Sequence, residues 1–242
     1  GRSTLVIERS AMPRDKVCGC CLAPRGVAAL HEAGMAGVID DAVPMRSVEL
    51  RSGDRRATLQ RSGYAVMSRA CLDARLLNAA SESGAERLLG VSARVTPDGV
   101  VRLQGEPGQG PIRAHAVIVA DGLSGRSLDG VEPMRWRLRR GSLQGIGTTL
   151  SRPPCPLPRG RLVMLLNPLG YLGLVRTESG AIDAAAAGEG ATVLSGRITP
   201  LRSTSALILS STNANREKIY IQQPPIAASG YSSQAIHPHF PH

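Results

Sequence analysis

The segment RDKVCGCCLAPRG, residues 14–26, places Cys18, Cys20 and Cys21 within four positions, beside Arg14 and Lys16. Thiols at this spacing suit four kinds of chemistry. A zinc site wants four ligands, commonly as two pairs; the C-x-C-C run offers one group, and Cys71 or Cys155 would have to complete it. A disulfide between adjacent cysteines is strained and belongs to oxidising compartments. A redox-active thiol is helped by cations such as Arg14 and Lys16, which favour the thiolate. Small, unbranched residues also let a loop pack against a flat ring. The residues alone leave these readings open.

Two further places carry candidate chemistry. Glu8 ends the apolar run STLVI. A carboxylate where such a strand opens into a crevice can accept hydrogen bonds from the ribose of a dinucleotide. The run AVIVA leads straight into Asp121-Gly122, with Ser124, Gly125 and Arg126 just beyond. Small residues there let the backbone approach a phosphate closely. Each signal is weak by itself, because many strands end in a charge and many Asp-Gly pairs are ordinary turns. His31 reads as a surface or capping residue, and Tyr171 as facing either a pocket or the core. No Ser/His/Asp triad or carboxylate pair stands out.

The elements that must position these residues follow from periodicity. Thr4–Ile7 reads as a buried parallel strand. APRGVAALHEAGM, with proline near its start and Gly34 as a stop, predicts a short helix. SVELRSGDRRATLQ alternates on both sides of Ser52-Gly53-Asp54 and predicts a β-hairpin near 46–62. Leu72, Leu76, Leu77 and Ala80 recur at helical spacing up to Gly84. RLLGVSARVT and IRAHAVIVADG each predict a strand. GSLQGIGTTL, RLVMLL, GYLGLVRT and AIDAAAA predict an antiparallel sheet. The order says α/β, with a three-layer Rossmann-like part and an added antiparallel sheet. We divide the chain into 1–130, 131–188 and an atypical, disordered tail at 189–242. Within residues 200–242 only Arg202 and Arg216 remain of the arginines, so a frameshift or extension would also account for the tail.

Composition removes several classes. The 242 residues suffice for a sizeable core. Trp136 and Phe240 are the sole tryptophan and phenylalanine, so stacking on nucleic-acid bases has almost nothing to use. The net charge of +10 is nearly all arginine, dispersed apart from RWRLRR at 135–140. That argues against a nucleic-acid partner. No apolar run approaches the ~20 residues of a spanning helix. Five cysteines without a spaced framework suit a reducing cytoplasm.

Taken in order and spacing, LVIERSAMPRDKVCGCCLAPRGVAAL, SRACLDARLLNAASESGAE and AVIVADGLSGRSL resemble the flavin-dependent geranylgeranyl reductase family. That family belongs to the flavoprotein monooxygenases built like p-hydroxybenzoate hydroxylase. RLVMLLNPLGYLGLVRTESGAIDAAAA resembles the sheet domain of that wider group, and the likeness covers about 3–187. The resemblance implies FAD as cofactor, NAD(P)H as reductant, and a small hydrophobic substrate met in the cytoplasm or at a membrane surface. It implies that Glu8 holds the adenosine ribose. Cys18, Gly19 and Cys21 would line the flavin, and Arg69 would contact the cofactor. Ala93 would offer backbone to the adenine side, and Asp121 with Gly122 would form the Asp-Gly motif. Cys18 is a possible catalytic residue, and the resemblance favours the ring-packing reading of the loop. The glycine-rich pyrophosphate turn and the closing GDA…DP segment are not found. The expectation is therefore of a chain incomplete at both ends, holding FAD weakly or not at all. The alternatives are a non-catalytic remnant or flavin-free binding module, and a cysteine-based metal-binding protein.

Overall fold

The structure, a computed structural model, describes residues 3–104, 110–122, 125–134, 142–151 and 156–188, together with the backbone of 219–222. The chain opens on β1 (Leu5–Glu8) and, after a long loop, adds the two-residue β2 (Cys21–Leu22). Helix α1 (Pro24–Glu32) follows, with proline in its first turn, where a missing N–H costs nothing. A 3-10 turn at Ala36–Ile39 leads into β3 (Val43–Ser52) and β4 (Arg55–Val66). Helix α2 (Arg69–Glu82) returns the chain to β5 (Glu86–Leu89), which pairs in parallel with β1 in the register Leu5↔Glu86 to Glu8↔Leu89. β6 (Ser92–Val95) and β7 (Val101–Gln104) form an antiparallel pair.

The second half supplies β8 (Gln144–Leu150), β9 (Arg161–Asn167), β10 (Gly170–Arg176) and β11 (Ile182–Gly188). They join the hairpin and β12 (Ile219–Gln222) in one mixed eight-stranded sheet, in the order β12-β8-β11-β10-β9-β3-β4-β2. The hairpin runs beyond the predicted 46–62, and β3 pairs in parallel with β9. Of 189–242, expected to be a structureless tail, the described part is β12 (Ile219–Gln222), which pairs antiparallel with β8. Cys155, Trp136 and the 135–140 arginine run lie outside the described residues.

Side chains alternate across the strands, so the sheet has two distinct faces. On one, Leu150, Val163, Ile182 and Leu157 form a core with Leu165 and Leu174 against it. On the other, Val175 joins Cys20, Val43, Met45 and Val66. Small residues pave the rest of this second face: Gly147 stands opposite Ala185 and Gly145 opposite Ala187. A third cluster, Val38, Met67 and Leu72, seats α2 on the 3-10 turn.

Three expectations need correction. RLLGVSARVT forms two strands, because Gly90 takes φ +79 between them, a left-handed turn that L side chains rarely adopt. β1 is half-exposed rather than buried, with Leu5 37% accessible; among the described residues only β5 pairs with it. The predicted strand ending at Asp121 is irregular after Ile112, which bridges Val101, and Ile118 is 92% exposed. An apolar run becomes a strand only when neighbours bond its backbone, and no described strand flanks this one.

Candidate active site around the cysteine loop

The loop of residues 9–20 begins at the carboxyl end of β1. There the Ser10 amide donates to Glu8 Oε1 at 2.9 Å, and Arg14 Nε lies 4.0 Å from the same oxygen. At its far end the loop is stitched to β4: Met67 N donates to Cys20 O at 2.9 Å, and Cys21 pairs with Val66. Its middle rests on the small-residue sheet face. A Cβ at Gly145 would lie 3.2 Å from Val17 Cγ1, and one at Gly147 would lie 3.5 Å from Val17 Cα. Cys20 adopts φ +51, an uncommon backbone for a residue with a side chain. That conformation goes with a thiol buried to 5% accessibility, in the core with Val66 and Val175.

Helix α2 supplies the charges. Ser68 caps it by accepting from Cys71 N at 3.3 Å. Glu178, from the turn after β10, accepts from Ser68 Oγ at 2.6 Å and Ser68 N at 2.8 Å, which fixes the helix start against the sheet. Arg69 follows, and its guanidinium makes two hydrogen bonds to Asp73, at 2.9 and 3.0 Å. Lys16 Nζ reaches the same carboxylate at 2.6 Å. Burial opposes ionisation of Asp73, but the hydrogen bonds from Arg69 and Lys16 outweigh it and hold its carboxyl below the usual range.

Electrostatics divides the three loop cysteines. The Cys20 thiol donating to Cys18 is the largest cause; burial opposes the thiolate, and the Cys20 backbone and then Arg69, by hydrogen bond and charge, add to the lowering. The result lowers the Cys18 thiol to about 5. Cys20, donor in that bond, is pushed up by it, by burial and by the Asp183 carboxylate. Cys21 is pushed up to about 12 by burial, then by the charges of Cys18 and Asp183. Asp183, on β11, is 7% accessible and one of its oxygens, Oδ2, has no hydrogen-bond partner. Burial raises it to about 7, against the pull of a hydrogen bond from Cys20; the charges of Cys18 and Asp15 add to the rise.

These groups edge a cleft of about 340 Å³ whose walls include Cys18, Cys21, Met67, Arg69, Leu72 and Leu76. Of the predicted site residues, Cys18, Cys21 and Arg69 meet here. Gly19 is exposed between the two thiols, with open space where a Cβ would stand. Glu8 anchors the loop's start. Ala93 sits half-buried on β6, which lies beside β1. Asp121 and Gly122 are exposed and form their own turn: Ser127 N donates to Asp121 Oδ2 at 2.9 Å, and a Cβ on Gly125 would run into the Asp121 carboxylate. That turn is tied to β6 through Val95 N, which donates to Ser127 O at 2.8 Å.

The cations nearest in sequence are not the ones at the thiolate. Arg14 turns to Glu8 and Lys16 to Asp73, while Arg69 meets Cys18. Asp183, missed from the sequence, had one signal: a charge inside the otherwise apolar run AIDAAAA. Among the described residues, no three of His, Cys, Asp and Glu are placed to hold a metal ion together. Also among them, no helix is long and apolar enough to cross a membrane.

The parallel β1–β5 pair and the large mixed sheet make an α/β fold similar to the Rossmann-like domains of flavoproteins of known structure. A flavoprotein/dehydrogenase from Cytophaga hutchinsonii superposes with TM-score 0.67 at 18% identity, covering 80% of this chain and 52% of that one. A myxobacterial chondrochloren halogenase, a variant of the FAD-dependent halogenases, gives TM-score 0.61 at 19% identity, covering 82% and 50%. In sequence, the chain is similar to the menaquinone reductase of Mycobacterium tuberculosis, 33% identical over 99 residues, which are 38% of this chain and 24% of the relative. The chain thus spans about a quarter of that curated relative and half of the solved structures. No protein-family model matches it.

Proposed function

We propose that the chain is part of an FAD-dependent oxidoreductase of the geranylgeranyl reductase type, acting on a hydrophobic, quinone- or isoprenoid-like substrate. The convergence of Cys18, Cys21 and Arg69 on one cleft, at the end of a loop that starts from Glu8, carries this reading. The cleft volume falls in the range of small-molecule sites. The similarity to menaquinone reductase supports a reductase over a monooxygenase, for which the support is fold alone.

The residues present fit FAD in part. Glu8 stands at the carboxyl end of a parallel strand with a carboxylate suited to ribose hydroxyls, and Oε1 is already oriented by Ser10 N. Arg69, held planar and fixed by Asp73, offers a cation at the cleft. Cys18 and Cys21 give the loop low bulk beside a ring. Asp121 and Gly122 fit less well, because the carboxylate is engaged in its own exposed turn. When bound, FAD would carry the electrons of the reaction, with NAD(P)H as reductant. The chain's own residues bind and orient it and, through Val17 on Gly145 and Gly147, keep the loop closed against the sheet. Half-exposed Leu166 and Tyr171 lie on the same face as Val175, an apolar surface suited to a hydrophobic substrate or to peripheral contact with a membrane.

Titration of the protein with FAD, followed by quenching of flavin fluorescence, tests the site. The reading expects weak binding that Glu8→Gln weakens about ten-fold, the value of one charge-assisted hydrogen bond. Equal affinity for wild type and variant removes Glu8 from the cofactor site.

A further inference from the structure

We propose that Cys18 and Cys20 form a peroxide-reactive dithiol, in which Cys18 is the attacking thiolate, Cys20 the resolving thiol, and Asp183 the group that handles the proton. The site stands whether or not the chain binds FAD. Four observations meet in it. Cys18, Cys20 and Arg69 line one open cleft, two thiols separated by a single glycine beside a guanidinium. Cys20 is held in a left-handed conformation, a backbone outlier of the kind that clusters at functional sites. Gly19 between them has open space around it and can follow a change in the loop. Asp183, 7% accessible, hydrogen-bonds Cys20 and keeps Oδ2 without a partner, a buried carboxylate that packing alone does not explain.

The chemistry balances with a hydroperoxide as oxidant. The Cys18 thiolate attacks the terminal peroxide oxygen; an S–O bond forms, the O–O bond breaks, and the departing oxygen takes a proton to leave as water or alcohol. Sulfur has lost two electrons and the peroxide has gained them. The Cys20 thiol then attacks the Cys18 sulfenic acid. An S–S bond forms, the S–O bond breaks, and the hydroxyl leaves as water, protonated by the Asp183 carboxylic acid as its other oxygen takes up the Cys20 proton. A dithiol substrate of thiol–disulfide exchange resets the pair. Cys21 is held in the sheet by its pairing with Val66 and takes no part.

The Arg69 cation at the cleft edge favours the Cys18 thiolate, and the open cleft gives an oxidant access to it.

The test treats the 242-residue protein with hydrogen peroxide at about pH 6, with peptide mapping by mass and dimedone trapping. Wild type is expected to lose two hydrogens from the peptide holding Cys18 and Cys20, reversibly with dithiothreitol. Cys20→Ser should stop at a dimedone-trappable sulfenic acid on Cys18, and Cys18→Ser should show neither product. Asp183→Asn should form the sulfenic acid at the wild-type rate but close the disulfide at least ten-fold more slowly. A merely structural role for Asp183 would slow both steps or neither, and overturns its part. Wild type that accumulates sulfenic acid as Cys20→Ser does, or oxidation falling first on Cys21 or Cys71, overturns the dithiol. Peptide mapping of wild type alone decides the second point, should a variant fail to fold.

Discussion

Arg69 and Asp73 stand one turn apart on α2 and are joined by two hydrogen bonds, from Nε to Oδ1 at 2.9 Å and from a terminal nitrogen to Oδ2 at 3.0 Å. The pair locks the guanidinium, which also reaches Cys18. Arg69→Ala is therefore expected to raise the Cys18 thiol by about one unit, since an adjacent cation favours the charged form. The Cys20 hydrogen bond, the larger cause, remains. The thiolate absorbance of Cys18 as a function of pH measures this, and an unchanged midpoint means that Arg69 does not act on the thiol.

Ser68 links the same helix to the sheet. Its hydroxyl accepts from Cys71 N and donates to Glu178, so Ser68→Ala removes a cap and one hydrogen bond at once. A loss of about 1–2 kcal/mol in urea unfolding is expected. Glu178→Ala should cost a similar amount, and the double variant less than the sum, because the two changes break one network.

The paved face makes a size-graded prediction. At Gly147 an added methyl would make ordinary contact with Val17, so Gly147→Ala is expected to be near neutral. Gly145→Val meets Val17 Cγ1 already at 3.2 Å and must lift the loop. It should cost about 1–3 kcal/mol and expose Cys20 to Ellman's reagent, which the native core excludes.

Asp183 makes a pH prediction whose sign follows from its raised value. Folded, it titrates near 7 against an ordinary 3.8, so between these values the folded state binds more protons than the unfolded one. Stability from this residue is therefore full below about pH 4 and falls as pH rises to about 7, by up to about 4 kcal/mol. Urea midpoints of Asp183→Asn and wild type, compared across that window, should diverge, with the variant gaining relative to wild type toward high pH. A constant difference contradicts a buried, proton-holding carboxylate.

Much of this was legible locally. Pro24 and Gly34 placed α1, leucine spacing up to Gly84 placed α2, and Ser52-Gly53-Asp54 placed the hairpin turn, because local periodicity and turn chemistry depend on few neighbours. Long-range pairing was not legible. Nothing in SVELRS says that Val48 pairs with Leu162 across more than a hundred residues, which puts hairpin and second half in one sheet. Val117 and Ile118 look like strand residues, yet a strand exists only with partners. At the candidate site, it was the family resemblance rather than spacing that singled out Glu8, Cys18 and Cys21. The cation at the thiolate could not be read from spacing either, because Arg14 and Lys16 are nearer in sequence while Arg69 is nearer in space. Asp183 was visible only as a charge interrupting an apolar strand, a pattern that a bulge or an edge would give equally.

The central claim is that flavin and Cys18 share one cleft. Cys18 alkylation by iodoacetamide, measured with and without FAD and with Cys71 as internal reference, tests it most directly. The account predicts that FAD slows labelling of Cys18 and leaves Cys71 unchanged. Equal labelling of Cys18 at FAD concentrations where flavin fluorescence shows binding would contradict it.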